Sequence, residues 1–209
     1  MSFTALVAAS LFAIAPVAQD AAPKSAPQGG AVAAKAGETA PNARLLAMIG
    51  PELEKADGTK VPTKEALEGR KNVLIYFTAS WCGPCRRFTP DLVKFAKANA
   101  DAKDFLIIMV GSDRTQDAQR AYMKKSEMPF LAVPFPGESR RKIKQAYAGG
   151  GIPNLVILDE QGVALKGSYE TDGKYTPKNR GSYIGPKPVL DHFAKLHAEA
   201  VKKAGTGTA

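Results

Sequence analysis

Between residues 45 and 203 the chain alternates two hydrophobic periods. Val73–Thr78 (VLIYFT), Phe105–Val110 (FLIIMV) and Asn154–Leu158 (NLVIL) are continuous runs of β-branched, aromatic and aliphatic residues. Such runs predict strands covered on both faces. Between them apolar positions recur at helical spacing: Phe88, Leu92, Val93, Phe95 and Ala96 predict a helix over Cys85–Asn99. Further helices are predicted over Thr115–Lys125 and Ser139–Tyr147, and an amphipathic one over Pro188–Lys203. Glu52–Val61 carries an Asp57-Gly58 pair between short mixed runs, a hairpin signal. A second hairpin joins Asn154–Leu158 to Val163–Leu165 through Asp159-Glu160-Gln161-Gly162. Strand–helix–strand order, then hairpin plus helix, predicts an α/β domain with a mixed central sheet and helices on both faces.

The flanks read differently. Ser2–Ala18 is uncharged and apolar, too short for a membrane span, and reads as the core of a signal peptide over residues 1–18. Export to a periplasmic or secreted location is the expectation, with the cytoplasm as the alternative. Residues 19–44 are rich in Ala, Pro, Gly and Lys and nearly lack large apolar side chains, which predicts a flexible linker. Residues 45–203 form the domain, and 204–209 a frayed tail.

Of the 209 residues, 44% are hydrophobic and 23% charged, a globular composition. The formal charge is +9; residues 1–44 hold three basic residues (Lys24, Lys35, Arg44) and two acidic ones (Asp20, Glu38), so the domain itself is basic. No aromatic signature for RNA accompanies that charge, and no nucleic-acid partner is expected. The turn Ser139–Lys144 (SRRKIK) reads as a solvated face, with docking of an acidic partner as the alternative. Gly149-Gly150-Gly151 precedes a strand, whereas a phosphate loop precedes a helix; it reads as a flexible approach to Pro153. Tyr169–Pro188 reads as a polar surface loop without an assigned role.

The chemistry converges on Trp81-Cys82-Gly83-Pro84-Cys85, which holds both cysteines of the chain between a strand and a helix. A sulfur at a helix N-terminus faces unpaired backbone N–H groups and the positive end of the helix dipole, which favours the thiolate. Arg86 and Arg87 add positive charge beyond it. Cys82 is expected to attack and Cys85, one turn deeper, to resolve. A structural disulfide would constrain so short a loop only weakly. Half of a zinc site, completed by His192 and His197, is the other alternative. Five helical positions apart, those histidines point about 140° away from each other, a poor arrangement for a shared metal.

Val73–Pro90 (VLIYFTASWCGPCRRFTP) resembles the active-site strand and helix of the thioredoxin superfamily. The Tyr-Phe-x-Ala-x-Trp-Cys run and the Arg-x-Phe-Thr-Pro continuation are similar to its tryparedoxin and nucleoredoxin branch. Asp57–Pro62 (DGTKVP) and Phe130–Phe135 (FLAVPF) resemble segments of the same branch, so the likeness spans about residues 45–200. It implies a three-layer thioredoxin-like fold with an N-terminal hairpin extension. It also implies a thiol–disulfide oxidoreductase needing no cofactor beyond the Cys82–Cys85 disulfide, and no metal. Pro153, after Ile152, matches the family's cis-proline beside the disulfide. The backbone of Ile152 would pair with a substrate peptide, and Trp81, Gly83 and Pro84 would shape the site. Pro90 matches the proline that kinks the helix. The implied partners are disulfide-containing proteins and an upstream reductase, acting on a monomer. Two positions depart from the pattern. Tyr76 stands where thioredoxins bury an Asp that assists proton transfer, so no general base is visible. Gly83-Pro84 replaces the branch's Pro-Pro and is the pair of the reducing thioredoxins. A redox-sensing binding module with little turnover is the alternative function. A peroxidase is disfavoured because Ala79 stands where peroxiredoxins have Thr.

Overall fold

A computed structural model describes residues 40–135 and 137–206. The expected signal segment and most of the expected linker lie outside the described residues, as do the last three residues of the tail. The first helix, α1 (Ala43–Ile49), begins two residues inside the stretch read as linker. At the other end α6 (Pro186–Thr206) continues past Lys203.

The order between them is β1 (Glu52–Glu54), β2 (Lys60–Pro62), α2 (Thr63–Leu67), β3 (Asn72–Thr78), α3 (Gly83–Ala98), β4 (Phe105–Gly111), α4 (Gln116–Lys125), β5 (Leu131–Ala132), α5 (Glu138–Tyr147), β6 (Asn154–Asp159) and β7 (Ala164–Gly167). A small hairpin, β8 (Glu170–Thr171) with β9 (Lys174–Tyr175), and a 3-10 turn, Arg180–Ser182, precede α6. The seven-stranded sheet runs β2-β1-β5-β4-β3-β6-β7. The pairs β3–β4 and β4–β5 are parallel, and the others antiparallel. The Asp57-Gly58 hairpin is therefore an edge of the main sheet, since Glu54 pairs with Ala132.

The continuous apolar strands are continuous because both faces are covered. On β3, Leu74 and Tyr76 face a core built with Phe88 and Leu92 of α3, Met123 of α4 and Phe193 of α6. Val73, Ile75 and Phe77 face the opposite core, with Leu45 and Ile49 of α1, Leu67 of α2 and Ile143 of α5. This is the predicted mixed sheet with helices on both faces. Helix α2, at five residues, is too short to show a 3.6-residue period in sequence.

Glu54 is the one buried carboxylate of the edge hairpin, fully enclosed yet carrying three donors. Lys60 (3.1 Å), Arg120 (2.9 Å) and Gln116 (2.9 Å) all reach its Oε2. A buried charge needs such partners, and these tie the hairpin to α4.

Candidate active site

Strand β3 ends at Thr78, and four residues later Cys82 caps α3. The Cys82 sulfur accepts the Cys85 backbone N–H at 3.1 Å, and Pro84 occupies the first turn, where a missing N–H costs nothing. Cys82 and Cys85 are joined in a disulfide. Cys85 is fully enclosed, while Cys82 retains 5% exposure. The intervening Gly83 is not sterically required, since an added Cβ would come no closer than 3.8 Å to Arg87.

Two arms reach this disulfide. The first is the turn Ala79–Trp81. Its Ser80 donates from its backbone N–H (2.9 Å) and hydroxyl (2.6 Å) to one oxygen of Asp113, a buried residue just after β4. The Trp81 ring is 62% exposed, and its indole N–H donates to the Ser112 carbonyl at 3.2 Å. The basic turn of α5 folds onto the same loop. Arg140 stacks on Phe135 at 4.4 Å and donates to the Asp113 carbonyl at 3.3 Å. Lys144 donates to the Ser112 hydroxyl at 2.9 Å, and burial pulls its ammonium below the usual lysine range, with Arg140 adding to the effect. Arg140 and Lys144 are thus half-buried parts of the site's frame, whereas Arg141 and Lys142 pair with Glu138 at the surface.

The second arm is Gly149–Pro153. The Ile152–Pro153 bond is cis, and the Ile152 carbonyl oxygen lies 3.7 Å from the Cys82 sulfur. The three glycines make room for close neighbours: a Cβ would lie 2.0 Å from the Tyr169 ring at Gly149, 2.8 Å from Arg180 at Gly150, and 3.4 Å from the Tyr169 hydroxyl at Gly151. Tyr183 donates to the Pro153 carbonyl at 2.8 Å, and its ring packs on Tyr169 with centroids 5.0 Å apart. Tyr175 donates to the Tyr147 carbonyl and accepts from Asn154 at 3.1 Å. The stretch read as a roleless surface loop is therefore the buttress of this arm, and the glycine run serves packing rather than flexibility. The signal available in sequence was the set of three tyrosines, Tyr169, Tyr175 and Tyr183, in an otherwise polar segment.

Beneath Cys85, around the position where Tyr76 replaces the buried Asp of thioredoxins, lies a network of hydroxyls. Tyr76 and Thr89 both reach the Cys85 carbonyl, at 3.3 and 2.9 Å. They also pair with each other at 2.9 Å, Thr89 pairs with Tyr122 at 2.7 Å, and Tyr122 reaches Thr78 at 3.4 Å. Burial pushes the Tyr76 phenol far above the usual tyrosine range. It stays protonated at neutral pH and so holds the helix backbone as a neutral donor; it is no general base.

The histidines of the zinc alternative serve other ends. His197 is buried against Phe95, Phe105 and Phe193, with its Nδ1 3.0 Å from an Asp104 oxygen, while His192 lies on the exposed side of α6.

Residues 69–163 match the family profile described as thioredoxin-like. Nucleoredoxin from Bos taurus is 40% identical over 128 residues, covering 60% of this chain and 29% of the relative. The chain thus spans under a third of the length of that relative. Tryparedoxin from Trypanosoma brucei brucei is 34% identical over 99 residues, covering 47% of this chain and 67% of the relative. Among solved structures, thioredoxin from Wuchereria bancrofti superposes with a TM-score of 0.54 at 30% identity, over 71% of this chain and 97% of that one. Tryparedoxin I from Leishmania major gives 0.51 at 34% identity, over 59% and 83%. The strand and helix that carry Trp81–Cys85 lie inside the matched region, and the chain belongs to the thioredoxin superfamily, in its tryparedoxin and nucleoredoxin branch.

Proposed function

We propose that the protein is a thiol–disulfide oxidoreductase that reduces disulfides of protein substrates through Cys82 and Cys85. The observation that carries the reading is the Cys85 N–H aimed at the Cys82 sulfur at 3.1 Å, at the N-terminus of a 16-residue helix. Once the disulfide opens, the same N–H and the helix dipole favour a thiolate at Cys82 over one at Cys85. That thiolate attacks one sulfur of a substrate disulfide; a mixed disulfide forms and the other substrate sulfur leaves as a thiolate. Cys85, losing its proton, then attacks the Cys82 sulfur. The second substrate thiolate leaves, the Cys82–Cys85 disulfide is restored, and two electrons have passed to the substrate. An external dithiol reductant must supply the next pair.

Cys82 is the more exposed sulfur and is assigned the attack; Cys85 is assigned resolution. Trp81, Gly83 and Pro84 on one side and Ile152 and Pro153 on the other are assigned to substrate contact, with the Ile152 backbone pairing an extended peptide. In a Cys85→Ser variant, mixed disulfides with substrate should accumulate, whereas Cys82→Ser should trap almost none. Turnover of insulin disulfides in the presence of dithiothreitol supports an exchange enzyme; a reducible disulfide without turnover would leave the sensor reading. Gly83-Pro84 supports a couple nearer about −270 mV than about −120 mV, measured by equilibration with glutathione.

Export is part of the proposal, supported by the uncharged apolar stretch Ser2–Ala18. Among the described residues no helix is long and apolar enough to cross a membrane. Mass spectrometry of the mature N-terminus tests it: retention of residues 1–18 overturns export through a cleaved signal.

A further inference from the structure

A second surface lies one helical turn from the disulfide and takes no part in the exchange just described. A cleft of about 860 Å³ runs between α3 and α4, from Ser80 and Arg86 to Lys97 and Glu127. Its floor is apolar and built from small side chains, Pro90 and Ala121 at the surface with Ala118 half-buried. Thr89 and Tyr122 close its bottom, and these are the residues whose hydroxyls lead to the Cys85 carbonyl. The groove-facing positions recur with helical spacing on both walls: Arg86, Pro90, Val93 and Lys97 on α3; Ala118, Ala121, Tyr122 and Lys125 on α4. From Arg86 to Lys97 the wall is about 16 Å long, three turns of helix.

The charge around this floor is one-sided. Arg86 and Lys94 stand on the α3 rim and Lys125 on the α4 rim, all exposed and without an ion-pair partner among the described residues. Only Lys97 is answered, by Glu127 at 2.5 Å. We propose that this cleft is a docking groove for an amphipathic helix of a partner protein, small and apolar on its buried stripe and acidic along both flanks. Small side chains let a third helix approach the floor closely, and an apolar stripe laid between two helices is a recurrent mode of recognition. Unpaired cations along both rims favour acidic flanks and oppose a basic partner. A second copy of this chain would set basic rim against basic rim. A single-stranded nucleic acid would want exposed aromatic rings for stacking, and the one ring here, Tyr122, is buried in the floor. A small fatty carboxylate needs its cations at one end, whereas here Arg86 stands at one end of the cleft and Lys94 and Lys125 towards the other. A partner held in the groove would begin beside Ser80 and Arg86, which raises the effective concentration of its reactive groups at Cys82.

The probe is a fluorescein-labelled helical peptide of about 14 residues, with Ala at i, i+3, i+4, i+7 and i+11 and Glu flanking that stripe. Its counterpart carries Lys in place of every Glu. Binding to the full-length oxidised protein is read by fluorescence anisotropy at low and physiological salt. The acidic peptide should bind at least tenfold tighter than its counterpart. The Lys94→Glu/Lys125→Glu variant should lose roughly tenfold or more, as charge reversal at a complementary rim does. Ala121→Trp, which fills the floor without changing charge, should lose a similar factor, while insulin reduction by both variants stays at the wild-type rate. That last readout separates this surface from the exchange site, so either can fail alone. Equal binding of the two peptides, or acidic-peptide binding that neither variant weakens, overturns the proposal. So does an oligothymidylate, or decanoate, that binds the wild type more tightly than the acidic peptide and is lost in Ala121→Trp. Self-association of the wild type abolished by Ala121→Trp would likewise replace the partner helix with a second copy.

Discussion

The two arms that meet at Cys82 are held by opposite means. The Ala79–Trp81 arm hangs on one buried carboxylate: Asp113 takes both donors of Ser80, and the loop carrying it is clamped from outside by Arg140 and Lys144. The Gly149–Pro153 arm is held by shape, with Tyr169 and Arg180 filling the space left by three glycines and Tyr183 bonded to the Pro153 carbonyl. A charged anchor depends on few atoms and fails when one is removed. A packed anchor spreads its support over many contacts and fails only when volume is forced in or taken out.

The largest expected effect is therefore at Asp113. Asp113→Ala leaves the Ser80 N–H and hydroxyl without their acceptor in a half-buried turn, at a cost of about 3 kcal/mol, since hydrogen bonds to charged groups are the strong ones. Asp113→Asn keeps a carbonyl oxygen and should lose less than half of that. Trp81 is the only tryptophan in the chain, so its fluorescence reports this arm alone. Urea unfolding and acrylamide quenching of Trp81 check the pair. An Asp113→Ala protein as stable as wild type, with Trp81 no more quenchable, would break the contrast between the arms.

The packed arm sets up a graded series. At Gly149 a methyl would sit 2.0 Å from a Tyr169 ring that is itself buried and packed against Tyr183, so neither can move aside; Gly149→Ala should cost about 1–3 kcal/mol. Gly150→Ala meets only the flexible stem of Arg180 at 2.8 Å and should cost less. Gly151→Ala, at 3.4 Å from a hydroxyl, should stay within about 0.5 kcal/mol of wild type. Thermal melts of the three variants check the order. Equal losses at all three would mean that the run serves backbone freedom after all.

The contrast also explains what could be read from sequence. The Trp81–Cys85 arm is contiguous: a strand, a turn and a helix whose period is visible in Phe88, Leu92 and Val93, so its chemistry could be placed before any fold was known. The sheet was legible for the same reason, because Val73–Thr78, Phe105–Val110 and Asn154–Leu158 are each long enough to show what covers them. What holds the second arm is spread over residues 147 to 183 and depends on which tyrosine faces which glycine. No local period encodes that. The hydroxyl network is similarly nonlocal: Tyr76 could be seen as the replacement of an Asp, but Thr89 and Tyr122 join it only through the packing of α3 and α4 on β3. Short elements such as α2 and β8–β9 fell below the length at which pattern outweighs chance.

An effect smaller than those at Asp113 and Gly149 sharpens the comparison through pH, because the packed arm rests on phenols and the charged arm does not. Burial pushes the Tyr175 phenol up to about 12 from its ordinary 10.0. The folded state therefore holds the proton more tightly than the unfolded chain. The resulting stability is present in full below pH 10 and is lost as pH rises from about 10 towards 12. Tyr175→Phe removes this group from the balance. At pH 8 the variant should lose only about 0.5–1 kcal/mol, because Asn154 still donates to the Tyr147 carbonyl at 3.3 Å when the Tyr175 hydroxyl is gone. Between pH 10 and 12 the wild type should lose stability faster than the variant, so the gap between them narrows. Tyr76, Tyr147 and Tyr183 are also raised, first by burial, and keep the variant alkali-sensitive, so the slope should fall by one proton's share rather than vanish. Urea denaturation at pH 8, 10 and 11 measures both slopes. Parallel curves for the two proteins would show that the Tyr175 hydroxyl is not held in the half-buried position that links β9 to Tyr147 and Asn154.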